Sequence, residues 1–157
     1  MVRYRFIGDT ILTVPFLRNL RRAYPQATID VLVGPQSGSV LEGCPYINEL
    51  IVFDTTRFHK YDRGAGRTGN FFQYAVHLRQ RKYDLVFLLK RSLSSALLAW
   101  LTGARYRVGH NTEGRRILLT HPVPWDASRH EVESTLDVLR AAHVPIVDDY
   151  LESWVSQ

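Results

Sequence analysis

A continuous apolar run, DLVFLL from Asp84 to Leu89, is the feature that most constrains the fold of this chain. A strand with one face in water alternates apolar and polar residues, whereas this run has no polar position after Asp84. Such a strand is buried on both faces, as in a parallel sheet with helices on either side. The run therefore predicts an α/β fold with a mostly parallel sheet.

The opening stretch, MVRYRFIGDTILTVPFLRNLRRAYP from Met1 to Pro25, predicts a strand, a turn and an amphipathic helix. The apolar face of the helix repeats at helical spacing, at Leu12, Phe16, Leu20 and Ala23. Three arginines are expected to lie off that face: Arg18, Arg21 and Arg22. Gly8 permits a tight turn, and Asp9 follows where a carboxylate can cap a helix N-terminus. Ligands of open α/β sheets bind at such strand-to-helix turns.

Strands and helices alternate along the rest of the chain. Further strands are predicted over 28–33, 49–54, 84–89 and 105–109, with a short extra strand over 117–119. Helices are predicted over 37–42, 71–81, 94–102 and 129–142. The order predicts a doubly wound, mostly parallel sheet with right-handed crossovers.

Two of these helices carry more detailed expectations. Phe72, Val76 and Gln80 are expected to share one side of the helix over 71–81. The last helix is expected to pack against the core through Val132, Leu136 and Leu139. Ser128 is expected to be its N-cap, with Glu131 completing a capping box.

Charge and composition indicate the kind of partner but do not identify the function. The net charge of +5 and the pI near 9.6 favour an anionic partner, which leaves phosphorylated sugars, acidic membranes and nucleic acids open. No nucleic-acid motif, zinc spacing, P-loop or GxGxxG after the first strand is present. Cys44 is the only cysteine, so an internal disulfide is excluded. The sequence shows no signal peptide and no apolar run long enough to cross a bilayer.

Candidate functional residues fall into three groups. Asp9 is first interpreted as a helix cap. A glycine-containing basic loop between residues 55 and 70 offers cations for phosphates or carboxylates, at Arg57, Lys60 and Arg63; a solvated surface loop is the alternative. Lys90, Arg91 and Ser92 follow the buried strand at the edge where α/β sheets bind ligands. Arg115 and Arg116 follow Gly114 in a loop; solvation is their expected role, and a position facing the same cleft is the alternative. For His130 a structural role is expected.

Several of these segments resemble glycosyltransferase family 9, the lipopolysaccharide heptosyltransferases. The resemblance begins with Gly8-Asp9-Thr10 and the helix that follows. It continues through five further segments: IDVLVGP, VLEGCPYINELIVFD, YDLVFLL, SLSSALLAWLTGA and RHEVESTLDVLR. The order and spacing of these pieces make the match specific. The pair Lys90-Arg91 departs from the family, which more often has uncharged residues there.

The resemblance implies a Rossmann-like doubly wound domain, the N-terminal half of a GT-B fold. Residues 1–147 would form the acceptor-side domain and residues 148–157 would begin the linker to a donor domain that this chain lacks. Asp9 would be the general base, with substrate contacts from Gly8, Thr10, Arg57, Lys60, Arg63, Lys90, Arg91, Ser92 and His130. The resemblance implies no catalytic metal and no cofactor; a nucleotide sugar such as ADP-heptose would be the co-substrate, bound by the absent domain.

The implied function is the acceptor-binding half of an inverting glycosyltransferase, which would transfer a heptose-like sugar to lipopolysaccharide or another cell-envelope saccharide. The implied partner is an anionic saccharide or glycolipid rather than a nucleic acid. The implied location is the cytoplasm, with peripheral contact at the cytoplasmic face of the inner membrane. The alternative is a non-catalytic module or remnant that binds an anionic saccharide or glycolipid.

Overall fold

The computed structural model describes residues 7–53, 71–152 and 154, and within these ranges every strand pairing is parallel. The strands are β1 (Asp30–Val33), β2 (Glu49–Val52), β3 (Leu85–Leu88), β4 (Tyr106–His110) and β5 (His121–Val123). The helices are α1 (Ile7–Ile11), α2 (Val14–Ala23), α3 (Phe71–Gln80), α4 (Leu93–Leu101) and α5 (Glu131–Ala141). The predicted α/β class with alternating strands and helices is confirmed. The strand predicted within residues 1–6 lies outside the described residues.

The strands form a β1–β2 ladder and a β3–β4–β5 ladder. Val31 pairs with Leu50 in the first ladder, and Phe87 pairs with Val108 in the second. All four residues of β1 are buried, as are the last three of β3, and this confirms the strand buried on both faces. Burial on both faces requires a layer of helices on each side.

Alternate strand residues contribute to two separate hydrophobic cores. Val31, Val33 and Phe87 belong to the core that contains the buried faces of α2 and α5. Leu32, Val86 and Leu88 belong to the other core, which contains the buried faces of α3 and α4. The rings of Phe16 on α2 and Phe87 meet edge to face at 5.2 Å between centroids. The fold is therefore a sheet layer between two helix layers, as predicted for a doubly wound domain.

The opening helix differs from the prediction in two ways. Gly8 lies inside α1 rather than in a tight turn, and the helical path is interrupted at Leu12 and Thr13. The side chain of Thr13 instead donates to the carbonyl of Thr10 at 2.5 Å. Arg18, expected off the apolar face, is buried with only 1% of its surface exposed. The reason is a set of acidic partners far along the chain.

Arg18 binds the C-terminal segment 148–152 to α2. Its guanidinium group forms ion pairs with Asp148 and with Glu152, the latter at 2.9 Å, and stacks 3.5 Å from the centroid of the Tyr150 ring. Burial raises the pKa of Asp148, but hydrogen bonds from Arg18 and Arg22 outweigh burial and hold the pKa below its ordinary value. Hydrogen bonds from Tyr46 and Arg18 likewise lower the pKa of Glu152. The segment is therefore a packed part of the domain.

Three local predictions need correction. The short helix predicted over 37–42 is instead two 3-10 turns, Pro35–Ser37 and Ser39–Leu41. The prediction that Phe72, Val76 and Gln80 share one side of α3 is confirmed; that side is exposed, and Ala75 and Leu78 face the core. The strand predicted over 117–119 is wrong because residues 115–118 form a 3-10 turn and β5 begins at His121.

The third correction concerns the start of α5. Ser128 is not its N-cap, because the backbone amide and hydroxyl of Ser128 both bind Asp126 Oδ1. His130 occupies the cap position instead. The predicted packing of Val132, Leu136 and Leu139 is confirmed, since all three are buried. Among the described residues, no helix is both long and apolar enough to cross a membrane.

Candidate functional site

The candidate site is the surface at the carboxyl ends of the strands, here called the carboxyl-end surface. It is formed by α1, the turn 35–37 after β1, the segment 90–92 after β3, the segment 111–115 after β4, and residues 125–131 before and at the start of α5. Ligands of doubly wound sheets bind at this edge. Seven of the predicted site residues lie on it: Gly8, Asp9, Thr10, Lys90, Arg91, Ser92 and His130.

Asp9 lies in the first turn of α1 and is half-buried. Helix α1 packs against the turns 35–37 and 39–41. Because these turns follow β1, they position α1 beside the carboxyl end of that strand. Thr10 is fully buried, whereas Gly8 is exposed, and a Cβ atom added to Gly8 would meet nothing within 4 Å. Of these three residues, Asp9 is the one with both exposure and an ionisable group.

The segment 90–92 is held mainly through its backbone. Ser92 is the N-cap of α4, and its hydroxyl accepts a hydrogen bond from the Ser95 amide at 3.3 Å. The hydroxyl of Ser95 donates to the carbonyl of Lys90 at 3.0 Å. Thr112 donates to the carbonyl of Arg91 at 2.9 Å. These bonds fix the backbone while the side chains of Lys90 and Arg91 remain partly exposed.

Arg91 links this segment to the start of α5. Its Nη1 donates to the carboxylate of Glu131 at 3.0 and 3.2 Å, and its guanidinium carbon lies 4.8 Å from the centroid of the Trp125 ring. The side chains of Arg91 and Glu131 are 29% and 22% exposed, so a ligand can reach both. The predicted cation is therefore present at the carboxyl-end surface, but it already has an acidic partner that an anionic ligand would have to replace or share.

His130 is the N-cap of α5. Its Nδ1 accepts a hydrogen bond from the amide of Val132 at 3.3 Å, so this nitrogen carries a lone pair. The sequence predicted a structural role for His130, and in the structure this residue caps the helix. The side chain is nevertheless exposed at the same surface as Arg91.

Arg115 is the residue that sequence reasoning missed. It was expected to be solvated, but its side chain is fully buried. Its Nε donates to the carbonyl of His110 at 2.7 Å, and its Nη1 donates to the carbonyls of Lys90 at 2.5 Å and Ser92 at 3.2 Å. Arg115 thus joins the ends of β3 and β4. The available sequence signal is the preceding Gly114, whose φ of +69° turns the chain at this point.

His110, the last residue of β4, also supports the carboxyl-end surface. It is buried, with Nδ1 3.2 Å from the carbonyl oxygen of Pro124 and Nε2 2.9 Å from that of Ser134. The ring therefore bridges the segment after β5 and helix α5. A neutral imidazole has one N–H, so it donates to one of these oxygens, whereas the charged form donates to both.

Three predicted site residues, Arg57, Lys60 and Arg63, lie outside the described residues. Within 7–53, 71–152 and 154, no group of three His, Cys, Asp or Glu side chains is arranged to hold a metal ion. The described part of the carboxyl-end surface thus offers a half-buried carboxylate on α1 and a cationic segment after β3, together with further carboxylates at Glu113, Asp126 and Glu131.

The chain is similar to a known protein family and to characterised proteins. The family model for glycosyltransferase family 9 (heptosyltransferase) matches residues 71–154. The chain is 34% identical over 140 residues to lipopolysaccharide heptosyltransferase 3 of Escherichia coli, covering 86% of this chain and 40% of that protein. It is 31% identical over 114 residues to lipopolysaccharide heptosyltransferase 2 of Escherichia coli K12, covering 73% of this chain and 31% of that protein.

Solved structures show the same fold. A glycosyl transferase of family 9 from Veillonella parvula superposes with a TM-score of 0.81 at 26% identity, over 99% of this chain and 44% of that chain. The ADP-heptose lps heptosyltransferase II of E. coli gives a TM-score of 0.75 at 24% identity, over 99% of this chain and 46% of that chain. This chain therefore spans less than half the length of the proteins it matches. The predicted doubly wound, Rossmann-like class is confirmed.

The family match covers more than half of the chain, and its range includes β3, the segment 90–92, Arg115 and α5. The chain belongs to glycosyltransferase family 9, the heptosyltransferase family.

Proposed function

We propose that this chain is the acceptor-binding half of a glycosyltransferase that transfers a heptose-like sugar, with inversion, to lipopolysaccharide or another cell-envelope saccharide. The observation that carries the proposal is the 34% identity to a lipopolysaccharide heptosyltransferase over 86% of this chain. The carboxyl-end surface supports it, because it offers a carboxylate and cations at the edge where this class of fold binds ligands.

In the proposed reaction Asp9 is the general base. Its carboxylate removes the proton from an acceptor hydroxyl while that oxygen attacks the anomeric carbon of the donor sugar. The bond from that carbon to the nucleotide diphosphate breaks on the opposite face, so the configuration inverts and the diphosphate leaves with the electron pair. The partial exposure of Asp9 supports this role, since the base must be within hydrogen-bond reach of the hydroxyl.

The cations of the carboxyl-end surface are proposed to bind anionic groups of the acceptor. Arg91 offers a planar fork that matches a phosphate or carboxylate, and Lys90 adds a point charge. Ser92 and His130 lie beside them, and Gly8 and Thr10 flank the base. We also propose, on the basis of the sequence alone, that Arg57, Lys60 and Arg63 belong to this acceptor site.

The donor is proposed to bind elsewhere. Residues 1–147 would form the acceptor-side domain, and residues 148–157 would lead into a donor domain that binds a nucleotide sugar such as ADP-heptose. One solved relative is an ADP-heptose lps heptosyltransferase and another was solved with ADP, which supports this class of donor. No catalytic metal is invoked, because basic groups and helix dipoles of the donor domain can stabilise the diphosphate. A lipid-linked acceptor would place the protein at the cytoplasmic face of the inner membrane.

The test replaces Asp9 by asparagine in the protein that carries this chain together with its donor domain. Asparagine caps helices about as well as aspartate but cannot accept the proton, so Asp9→Asn separates the two roles. We expect kcat to fall about a hundredfold or more, with KM for the acceptor unchanged. Asp149→Asn, at another exposed carboxylate, should leave kcat within about twofold.

A catalytic role for Asp9 would be refuted if Asp9→Asn kept the wild-type kcat. The alternative function, a non-catalytic module for an anionic saccharide or glycolipid, predicts something different. Acceptor binding would then be measurable by calorimetry, but no transfer would occur even with the donor domain and nucleotide sugar supplied.

A further inference from the structure

Helices α3 and α4 expose large apolar side chains at helical spacing. Phe72 and Val76 on α3 are 66% and 56% exposed. Leu93, Leu97 and Trp100 on α4 are 48%, 40% and 51% exposed. Spacings of three and four residues place the side chains of each helix on one side. These five residues are here called the α3–α4 face.

The two stripes form one surface because the helices are neighbours in the same layer. The helices contact each other, and Arg79 near the end of α3 donates to the carbonyl of Leu101 at the end of α4 at 3.3 Å. Both helices belong to the core on the same side of the sheet. Ile117, which is 88% exposed, lies on the turn 115–118 that packs against α4 and extends the surface. An exposed apolar patch of this extent usually marks an interaction site.

The charge around this face is strongly positive. Residues 71–118 contain nine lysines and arginines but only two acidic residues, Asp84 and Glu113. Of the nine, Arg115 is fully buried and Arg91 is paired with Glu131, so the other seven supply this excess. The exposed cations follow the two helices and the turn, at Arg79, Lys82, Arg105 and Arg116. In contrast, residues 131–152, which include α5 on the other side of the sheet, contain six acidic residues and one arginine. An anionic partner would therefore meet the α3–α4 face with favourable electrostatics.

We propose that the α3–α4 face lies on the surface of an anionic lipid bilayer, an inference that rests on the proposed function for its biological setting. Apolar and aromatic side chains enter the headgroup region while lysines and arginines attract anionic lipids, which is the pattern of interfacial helices. Trp100 is suited to this position because the indole ring has an apolar body and a polar N–H. An uncharged apolar protein surface would not require the surrounding cations.

The orientation of α4 relates this face to the candidate site. Leu93 begins α4 directly after the segment 90–92, so the α3–α4 face starts at the carboxyl-end surface. A bilayer in contact with this face would hold the saccharide of a membrane-anchored glycolipid beside Lys90 and Arg91. Binding to the bilayer would thereby confine the acceptor near the site, raising its effective concentration.

The test measures binding of the 157-residue chain to vesicles by flotation. Vesicles of phosphatidylcholine alone are compared with vesicles that contain phosphatidylglycerol, at low and high salt. We expect binding that needs the anionic lipid and weakens with salt. The double variant Phe72→Ser/Trp100→Ser should lose about tenfold or more in affinity, because it removes the two largest apolar groups of the face.

Tyr24→Ser/Val147→Ser is the matched control. It removes two similarly exposed apolar side chains, 45% and 67%, near α2 in the opposite helix layer. This control should bind vesicles like the wild type. Circular dichroism before flotation confirms that each variant is folded. Equal vesicle affinity of the two double variants would overturn the proposal, as would wild-type chain that does not bind anionic vesicles at low salt.

Two further measurements distinguish this proposal from dimer formation and from the proposed function. A dimer in sedimentation that Phe72→Ser/Trp100→Ser dissolves, with no vesicle binding, would assign the face to a second copy and overturn the bilayer proposal. Calorimetry with a lipid-free acceptor saccharide reports on the carboxyl-end surface alone. Vesicle binding without saccharide binding would support the α3–α4 face while counting against the proposed function, and the reverse result would do the opposite.

Discussion

Replacing Arg115 by methionine removes the buried guanidinium group that joins the ends of β3 and β4. Methionine keeps much of the stem volume, so the loss is mainly that of the donated hydrogen bonds. These bonds reach the carbonyls of His110, Lys90 and Ser92 at 2.7, 2.5 and 3.2 Å. A hydrogen bond that involves a charged group contributes about 1.5–3 kcal/mol, so their plain sum is an upper bound.

Two effects reduce that sum. The carbonyl of Ser92 keeps a hydrogen bond from the Ala96 amide at 3.4 Å. The single proton of the Ser95 hydroxyl can then go to the carbonyl of Lys90 at 3.0 Å, so neither carbonyl is left unsatisfied. Burying the guanidinium group also costs desolvation energy that the variant avoids. We therefore expect Arg115→Met to lower the free energy of unfolding by about 2–3 kcal/mol.

Urea denaturation measures this loss. With an m-value of about 1–3 kcal/mol/M, the midpoint should fall by roughly 1–2 M. Arg116→Met is the matched control, because Arg116 is the next residue and is exposed; its midpoint should stay near that of the wild type. If the two variants unfold at the same urea concentration, the assignment of Arg115 as the link between the strand ends is wrong.

Three further predictions concern other parts of the domain. The pKa values of Asp148 and Glu152 are lowered, so their contribution to stability is present above about pH 4–5 and is lost as the pH falls through the folded values; melting temperatures from pH 7 to 3 should drop less steeply in Asp148→Asn than in the wild type. Gly109→Ala should cost about 1–3 kcal/mol by urea denaturation, because its Cβ would lie 2.8 Å from Leu88 Cβ and 3.0 Å from the Leu88 carbonyl oxygen; an unchanged midpoint would show that the strands move apart easily. Burial raises the pKa of the Cys44 thiol to about 11, so iodoacetamide at pH 8 should modify it only after unfolding, and rapid labelling of the native chain would contradict its burial.

The elements that the sequence predicted well are those whose pattern is local. β3 follows from one continuous apolar run, and the core face of α5 follows from the spacing of Val132, Leu136 and Leu139. In each case the periodicity of the residues reflects the layer against which they pack. The segment 90–92 lies at the carboxyl edge because it directly follows β3, and the chain direction defines that edge in a parallel sheet.

The wrong predictions concern side chains whose hydrogen-bond partners are distant along the chain, or for which a neighbouring residue offers a competing hydrogen bond. The burial of Arg18 depends on acidic groups 130 and 134 residues away, and no local pattern reports such a contact. The burial of Arg115 depends on hydrogen bonds to backbone carbonyl groups just after β3, such as that of Lys90. Ser128 satisfied the capping pattern, but Asp126 binds both its amide and its hydroxyl. For α3, periodicity grouped Phe72 with Val76 correctly but could not show which side of the helix the sheet would cover.

The bonds from Arg115 to the segment 90–92 have a thermodynamic consequence for any ligand at the carboxyl-end surface. A backbone segment that is already fixed loses little conformational entropy when a ligand binds, so less of the interaction energy is spent on ordering it. Loosening the segment should therefore weaken binding mainly through a more unfavourable entropy, while the enthalpy from the contacts of Lys90 and Arg91 is kept. In calorimetry, a variant that lacks Arg115 should therefore show a more unfavourable binding entropy, although Arg115 itself touches no ligand.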